Sequence, residues 1–317
     1  MAASQAEPEC ARIASAWPSP IEAQKAYAGF DVFSPRALTH PRRASPPDNT
    51  AAMLFAKTRN FLTKHAVTIS GAGERVLVLG NGFGTSQNCW TQLLPLLEAR
   101  SRVVRFDWAV SPKHYDSARY ATLDGYVEDL LGIIAATVQG PCTLIGHSMS
   151  SMIGMLAATR EPERFHHIVM IAPAPCFIRD QGYEAGFTRE ELDALLDAVS
   201  DDYLAWTEAF APIAVGGAPN SVAIDDFREG LRALRPDVAL SMAQLLFTID
   251  LRPQLQAYRT PTTIIQPSAD PVVPVAVGRH LAGLWPQAEL VIVESSGHLP
   301  HVTAADQVAA ILARVAA

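Results

Sequence analysis

The chain is poor in the residues that mark several protein classes. It has four cysteines, Cys10, Cys89, Cys142 and Cys176, and their spacing matches neither a metal site nor a redox motif. Because Cys142 lies in a predicted buried strand, we expect free thiols in a reducing compartment and predict a cytoplasmic protein. Only 18% of the residues are charged, the net charge is −7 and no basic block extends beyond Arg42-Arg43. This composition argues against nucleic acid or an anionic membrane surface as a partner. No apolar run is long enough to span a membrane.

The first 58 residues also lack the pattern of a folded core. They are rich in Ala, Pro and Ser, and seven prolines interrupt any helix: Pro8, Pro18, Pro20, Pro35, Pro41, Pro46 and Pro47. We predict a mostly disordered extension over 1–58. It has no apolar core of a secretory signal, and its acidic residues count against a transit peptide, although an organellar address stays open. Residues 56–63 are either a short helix or the start of the first strand.

What the chain does have is a large apolar fraction and a regular alternation of strand-like and helix-like runs. Apolar residues make up 49% of the 317 positions, enough to bury one large core. Strands are predicted over 67–70, 75–79, 103–107, 142–145, 167–171, 262–266 and 290–293. Helices are predicted over 87–98, 123–138, 150–159, 275–284 and 304–315. The alternation predicts an α/β fold whose mostly parallel sheet is covered on both faces, with sites at the carboxyl ends of the strands.

The alternation is interrupted once, between residues 177 and 250. Only helical patterns occur there, over 189–199, 202–214, 222–234 and 236–248. We therefore predict a four-helix lid over 177–250, inserted between two parts of the core, 59–176 and 251–317. An insertion at this point must cover the edge of the sheet at which a site would lie.

The segment Gly146-His147-Ser148-Met149-Ser150 follows an apolar strand and precedes a helical run. A strand, a sharp turn and a helix form a nucleophile elbow, in which the central serine is held clear of the sheet and small residues flank it. Ser150 replaces the usual last glycine of this pattern, and serine is the next smallest choice. Ser148 is the candidate nucleophile, although a match of five residues is weak without its context.

Two later loops supply a general base and a residue to orient it. Asp270 follows the predicted strand 262–266, and His298 follows the predicted strand 290–293. A serine hydroxyl is a poor nucleophile until a neutral imidazole takes its proton, and a carboxylate fixes the imidazole tautomer. We predict a catalytic triad of Ser148, Asp270 and His298. His301 is the competing base, ranked lower because Gly297 allows a sharp turn beside His298 whereas Pro300 stiffens the chain before His301.

A glycine-rich loop, Gly80-Asn81-Gly82-Phe83-Gly84-Thr85, follows the predicted strand 75–79. In a fold with a nucleophile elbow, this loop provides one backbone donor of the oxyanion hole, and the residue after the nucleophile provides the other. The predicted donors are the amides of Phe83 and Met149. A phosphate-binding loop is the alternative, but Thr85 occupies the position of a required glycine and no Gly-Lys-Ser/Thr follows.

Together these motifs resemble a known group of α/β-hydrolases, the one that contains the bacterial stress-response regulator RsbQ and the strigolactone and karrikin receptors of plants. The resemblance runs from about Val67 to the C-terminus. The resemblance includes the elbow and the glycine-rich loop over 80–85, which is called the oxyanion loop below. Its other motifs are Trp90, Arg119-Tyr120, Leu123-Asp124-Gly125-Tyr126, Gly186-Phe187, Ala205-Trp206, Phe210-Ala211-Pro212, Arg235-Pro236-Asp237 and Gly297-His298-Leu299-Pro300-His301. Two parts depart from it: Trp108-Ala109-Val110-Ser111 lacks the glycine usual after the third strand, and residues 1–58 have no counterpart.

The resemblance implies an α/β-hydrolase fold and an apolar pocket under the lid. Carried over position by position, it implies a pocket wall of Phe83, Phe187, Leu195, Trp206, Phe210 and Phe247, although an aromatic residue at helical spacing is more often ordinary packing. The expected function is hydrolysis of a small hydrophobic ester or lactone, without a metal or an organic cofactor. The alternative is a ligand receptor in which slow hydrolysis accompanies the recruitment of a signalling protein at the lid. A dehalogenase would require a carboxylate at position 148.

Overall fold

A twisted sheet of seven strands forms the centre of the molecule. The computed structural model describes residues 49–111, 113–180, 183, 185–218 and 221–315. The strands are β1 (Thr68–Ser70), β2 (Arg75–Gly80), β3 (Ser101–Arg105), β4 (Cys142–His147), β5 (Phe165–Ile171), β6 (Thr262–Ala269) and β7 (Ala288–Ser296). Their order is β1-β3-β2-β4-β5-β6-β7. β1 pairs with β3 in the antiparallel sense, and the other neighbouring strands are parallel.

Helices precede, connect and follow the strands. They are α1 (Asn49–Lys64), α2 (Leu94–Glu98), α3 (Leu123–Thr137), α4 (Met149–Arg160), α5 (Arg189–Asp201), α6 (Tyr203–Val215), α7 (Val222–Arg232), α8 (Pro236–Thr248), α9 (Val275–Leu284), α10 (Pro300–Thr303) and α11 (Ala305–Val315). In the part of the chain that the structure describes, none of them is long and apolar enough to cross a membrane.

Both faces of the sheet are buried. Side chains of a strand alternate between the two faces, so neighbouring residues of one strand belong to different core clusters. In β2, Leu77 and Leu79 belong to a core cluster that includes Trp90 and residues of α11, whereas Val78 belongs to a second cluster with residues of α3 and α4. A parallel sheet covered on both sides is the arrangement that the alternation of strands and helices predicts. The predicted α/β fold with a mostly parallel sheet is confirmed.

The inserted segment consists of four helices, α5 to α8, between β5 and β6. Thr188 and Glu191 form a capping box at the start of α5, and the Asp202 carboxylate accepts from the Ala205 amide at the start of α6. Such caps satisfy amides that have no partner within the helix. The four helices lie within a few residues of the helical runs predicted over 189–199, 202–214, 222–234 and 236–248.

Two predicted elements differ in the structure. The single helix expected over 87–98 is a 3-10 turn, Gln87–Trp90, followed by the short helix α2, because Pro95 lacks an amide hydrogen and its ring clashes with the preceding turn. Helix α1 begins at Asn49, two residues after the last proline of the segment predicted to be an extension. The rest of that segment, residues 1–48, lies outside the described residues.

Candidate active site

Ser148 lies in the sharp turn between β4 and α4. Its backbone has φ 53° and ψ −116°, a conformation that residues other than glycine rarely adopt. The turn is held from below because the Ser148 amide donates to the Ile171 carbonyl of β5 at 2.8 Å. A Cβ atom at Gly146 would lie 2.7 Å from the backbone of Ser150. Strand and helix thus meet too closely for a side chain at position 146, which is the geometry of a nucleophile elbow.

Asp270 is fixed at the carboxyl end of β6. Its Oδ1 atom accepts from the amides of Val272 and Val273 at 2.8 and 2.9 Å, and its Oδ2 atom lies 2.7 Å from Nδ1 of His298. The carboxylate side chain is fully buried and that of His298 is 9% exposed. Because a carboxylate can only accept here, the proton of the neutral imidazole lies on Nδ1. The Nε2 atom of His298 is then free to take a proton from a nucleophile.

The loop that carries His298 is attached to the lid. Gly297 has φ 88°, and a Cβ atom there would lie 2.0 Å from the Val215 carbonyl at the end of α6. The next amide, that of His298, donates to the Ala214 carbonyl at 2.6 Å. Only glycine fits this approach without strain. The last turn of α6 therefore helps to set the position of the imidazole.

His147, the residue before the nucleophile, joins the elbow to the same loop. Its Nε2 atom donates to the His298 carbonyl at 2.9 Å. Its ring is fully buried, with the rings of His298 and His301 at centroid distances of 4.9 and 4.5 Å. Burial, reinforced by the neighbouring imidazoles, lowers the pKa of His147 well below 6.5. His147 therefore stays neutral and does not compete with His298 for a proton.

His301, the alternative base, is completely buried. Its ring lies against Trp90, at a centroid distance of 4.6 Å, and against His147. Burial, and secondarily the proximity of His298, lowers the pKa of His301 to about 3. The carboxylate that orients an imidazole in this region bonds His298, and His301 is absent from the lining of the cavity described below. The geometry therefore favours His298 over His301 as the base.

The loop that follows β2 has a fixed shape. The Asn81 side-chain amide donates to the Thr85 carbonyl at 2.6 Å, and the Thr85 hydroxyl donates to the Gly82 carbonyl at 2.9 Å. Phe83 lies within this turn. Met149, the second predicted oxyanion donor, is the first residue of α4, and amides in the first turn of a helix have no acceptor within the helix. Both residues line one cavity together with Ser148 and His298.

This cavity lies between the sheet and the lid and has an apolar wall. Among the described residues that line it, Ser148, His147 and His298 are the only ones with polar side chains, and none carries a carboxylate, an ammonium or a guanidinium group. The other lining residues are Phe83, Leu123, Met149, Met152, Ala174, Phe177, Phe210, Ala214, Phe227, Leu246, Phe247, Ile249, Leu251, Val272 and Leu299. The polar side chains within reach of a bound molecule are therefore those of Ser148, His298 and His147.

The structure brings three of the six predicted pocket residues, Phe83, Phe210 and Phe247, to the cavity wall. Trp206 does not line the cavity, because its ring lies behind Phe210 and stacks on it at a centroid distance of 4.6 Å. Phe187 and Leu195 do not line it either; both are partly buried against the core. Phe187 belongs to the stem of the lid, where its amide donates to the Phe177 carbonyl at 2.7 Å.

Several lining residues were missed by the sequence prediction. Phe227 of α7 and Leu246 of α8 face the cavity, but the helical pattern alone does not say which side of an apolar helix faces a ligand. Phe177 and Leu251, at the two stems of the lid, could have been found from their position, since they flank the insertion on either side.

The family model described as the alpha/beta hydrolase family matches residues 76–311. The chain belongs to the α/β-hydrolase family. It is a hydrolase by this membership, and the elbow, the Asp270–His298 pair and the glycine-rich loop occupy the places at which this fold carries its catalytic groups.

Within the family, the chain belongs to the group of strigolactone and karrikin receptors. It is 39% identical over 255 residues to a karrikin insensitive 2 receptor from Petunia hybrida, which covers 79% of this chain and 94% of the relative. It is 38% identical over 260 residues to a strigolactone esterase from Arabidopsis thaliana, covering 80% and 97%. Among solved structures, a hydrolase from Oleispira antarctica is 31% identical, with a TM-score of 0.78 over 82% of this chain and 97% of that one.

Proposed function

We propose that this α/β-hydrolase cleaves a small hydrophobic ester or lactone, such as a butenolide, through a covalent acyl-enzyme. The observation that carries the proposal is the composition of the cavity, whose polar side chains are limited to Ser148, His298 and the neutral His147. A sugar, a phosphorylated metabolite or a charged peptide would lose its hydration there without gaining a partner. An apolar molecule with one reactive carbonyl would lose little hydration in this cavity. The helical segment 177–250 serves as the lid of this site.

In the proposed reaction, the Ser148 hydroxyl attacks the carbonyl carbon while Nε2 of His298 accepts the hydroxyl proton. The Asp270 carboxylate, fixed by two backbone amides, holds the imidazole and stabilises the imidazolium that forms. The amides of Phe83 and Met149 bind the oxyanion. The imidazolium then protonates the leaving oxygen, and a water molecule activated by His298 releases the acid. In a lactone the leaving oxygen stays attached to the acyl group.

Similarity supports the same substrate class. The relatives in Petunia and Arabidopsis are named as a karrikin insensitive receptor and a strigolactone esterase, and a rice relative that is 39% identical over 259 residues is named a probable esterase. Their names combine ester hydrolysis with reception of a signal molecule. The cavity of this chain has the apolar character that such ligands require.

The test is a comparison of matched substrates. We expect wild-type protein to hydrolyse 4-nitrophenyl butyrate. It should hydrolyse 4-nitrophenyl succinate far more slowly, because that ester carries a free carboxylate. Ser148→Ala should lose turnover of the butyrate while its folding transition is preserved. Equal rates on the two esters would contradict the apolar-substrate proposal, and turnover by Ser148→Ala would contradict the nucleophile.

A ligand receptor with slow hydrolysis is the second candidate. The lid offers a place for a partner, because Leu204 and Ile213 of α6 and Val222 of α7 are 58%, 56% and 74% exposed. A partner bound there would bury these three side chains, whereas apolar side chains exposed singly are ordinary on a protein surface. A turnover number far below the enzyme median of about 10 per second would favour the receptor. Free thiols at Cys89, Cys142 and Cys176 agree with the proposed cytoplasmic location.

A further inference from the structure

Two buried side chains hold the oxyanion loop from beneath. The Asn81 carbonyl accepts from the Ser150 hydroxyl at 2.5 Å and from Nε1 of Trp108 at 3.0 Å. Trp108 also lies 3.2 Å from the Ser150 hydroxyl oxygen. All three residues are at most 4% exposed. A buried carbonyl with two donors is fixed in direction, because a rotation of the peptide would leave buried polar groups unpaired.

The Asn81 carbonyl lies close in the chain to the proposed oxyanion donor, the Phe83 amide. Asn81 is two residues before Phe83, and its own side chain closes the turn by donating to Thr85. On the other side of the loop, Gly82 lies so close to His147 that a Cβ atom would be 2.6 Å from the imidazole Nδ1. The loop is thus held at Asn81, at Gly82 and at Thr85. The amide of Phe83 lies between these points and has little freedom to turn.

Ser150 departs from the general pattern of nucleophile elbows, and Trp108 departs from the pattern of the related group. Ser150 is at the position where nucleophile elbows usually carry glycine, and glycine has no hydroxyl to donate. Trp108 stands in the loop after β3, where the related group usually has a glycine-bearing segment. A serine fits because Gly80 lies opposite it, with an ideal Cβ position only 2.9 Å from the Ser150 side chain.

We propose that Ser150 and Trp108 are positioning residues that orient the Phe83 amide toward the oxyanion through the Asn81 carbonyl. The proposal rests on the proposed serine-hydrolase function. It assigns Trp108 and Ser150 a role in transition-state stabilisation, not in substrate binding, since neither residue lines the cavity. Their loss should therefore lower kcat and leave KM almost unchanged.

The test uses two variants and a matched control. Ser150→Ala removes the hydroxyl, and Trp108→Phe removes the indole N–H but keeps an aromatic ring beside Phe106 and Tyr126. Ser151→Ala is the control, because Ser151 is equally buried in the same helix turn but donates to the Gly146 carbonyl at 2.7 Å instead of to the oxyanion loop.

Hydrogen exchange of the amides of residues 82–85 reports the loop independently of catalysis. We expect faster exchange in Ser150→Ala and Trp108→Phe than in wild type or Ser151→Ala. With 4-nitrophenyl butyrate, kcat should fall about 10- to 100-fold, less than the 100- to 1000-fold typical of complete loss of an oxyanion donor, while KM stays within about twofold. Ser148 can attack the carbonyl of trifluoroacetophenone to form an adduct that carries an oxyanion, so the affinity for this ketone should fall in parallel with kcat. The affinity for acetophenone, which does not form such an adduct readily, should not fall.

Unchanged exchange in both variants would overturn the proposal, whatever the activity. Faster exchange with unchanged kcat and unchanged trifluoroacetophenone affinity would overturn it as well, because the loop would then be held without benefit to the reaction. An equal loss of kcat in Ser151→Ala would reassign the effect to general damage of the helix. Failure of the proposed function is a different result: wild-type protein itself would then neither turn over the ester nor add to the ketone.

Discussion

Ser148 keeps a backbone conformation that costs about 1–3 kcal/mol, and the surrounding strands supply the contacts that maintain it. The amide bond to Ile171 and the close contact of Gly146 with Ser150 leave the turn no relaxed alternative. Asp270 is held in a similar way, because one of its carboxylate oxygens accepts from the backbone and the other bonds His298. The proposed nucleophile and the proposed orienting carboxylate are thus each held by backbone groups that take no part in the proposed reaction.

The first prediction at the residue scale concerns the triad as a unit. Because Ser148 needs His298 to become a nucleophile, removing either should remove nearly all that the pair contributes. We expect Ser148→Ala, His298→Ala and the double variant to have similar residual kcat on 4-nitrophenyl butyrate. Asp270→Asn should retain somewhat more. If the losses of the two single variants multiply in the double variant, the residues act independently and the triad is wrong.

The second prediction concerns pH and His301. Burial lowers the pKa of His301 to about 3, whereas the unfolded chain titrates near 6.5. Below pH 6.5 the unfolded state binds a proton that the folded state excludes, so this residue makes the free energy of unfolding fall by about 1.4 kcal/mol per pH unit toward pH 3. We expect wild-type protein to lose about 2 kcal/mol more than His301→Leu between pH 6.5 and 5.

Urea denaturation at the two pH values measures this difference. His166→Leu is the control, because His166 is exposed on β5 and its replacement should leave the pH dependence of wild type intact. Equal pH dependence in wild type and His301→Leu would show that His301 is protonated in the folded protein. His301→Leu should also retain ester turnover, and its loss would return His301 to consideration as the base.

At the scale of elements, the inserted helices contact the loop that carries the proposed base. The end of α6 receives the His298 amide, and the adjoining Gly217 amide donates to the Ser296 hydroxyl at 3.2 Å. The two ends of the lid are joined as well, because Arg252, just after it, makes a two-point contact with Asp180, which precedes α5, at 2.7 Å for each bond. Movement of α6 would therefore displace the base as well as uncover the cavity.

The third prediction distinguishes residues that line the cavity from residues that pack beside it. Phe247 lines the cavity, so Phe247→Ala should enlarge it. The ratio of kcat/KM for 4-nitrophenyl hexanoate to kcat/KM for 4-nitrophenyl acetate should then rise about tenfold, since one methylene in an apolar pocket is worth about 1–3 kcal/mol. Phe187→Ala is the control, since Phe187 does not line the cavity, and its ratio should stay that of wild type. A large loss of Tm in Phe247→Ala with no shift in the ratio would mean that Phe247 serves packing alone.

How far the sequence predicts these elements depends on how local the cause is. The elbow, the loop after β2 and the loops bearing Asp270 and His298 are marked by residue types at strand ends, and the structure places all of them around one cavity. The break at Pro95 could have been predicted, since proline ends a helical pattern. The position of Trp206 behind Phe210 could not, because it depends on the rotation of α6 against its neighbours. Nor could the bonds from Ser150 and Trp108 to Asn81, which join residues far apart in the chain.

At the scale of the whole molecule, a buried polar cluster ties α1 to the core. The Asp129 carboxylate of α3 accepts from Arg119 at 2.6 Å and from the Tyr120 hydroxyl at 2.5 Å, and lies 3.2 Å from His65, the residue after α1. Burial alone would raise the pKa of Asp129, but its contacts with His65 and Tyr120 and the charge of Arg119 lower it. The carboxylate therefore stays ionised and links three segments of the chain.

The fourth prediction tests this cluster. Asp129→Asn should lower the free energy of unfolding by about 3–5 kcal/mol, because it leaves buried partners without a compensating charge. Glu128→Gln is the matched control: Glu128 pairs with the same Arg119, but its side chain is 47% exposed, and its replacement should cost no more than about 1 kcal/mol. Urea denaturation monitored by tryptophan fluorescence gives both values. Similar losses in the two variants would show that burial of the Asp129 pair adds nothing.

The role of Ser148 is tested most sharply by the intact mass of the protein after brief reaction with 4-nitrophenyl butyrate and an acid quench. Wild-type protein should gain the mass of one butyryl group, proteolysis should place that group on Ser148, and Ser148→Ala should gain nothing while remaining folded. Hydrolysis by wild type with the adduct on another residue, or an equal adduct on Ser148→Ala, would contradict the assignment of Ser148 as the nucleophile of this hydrolase.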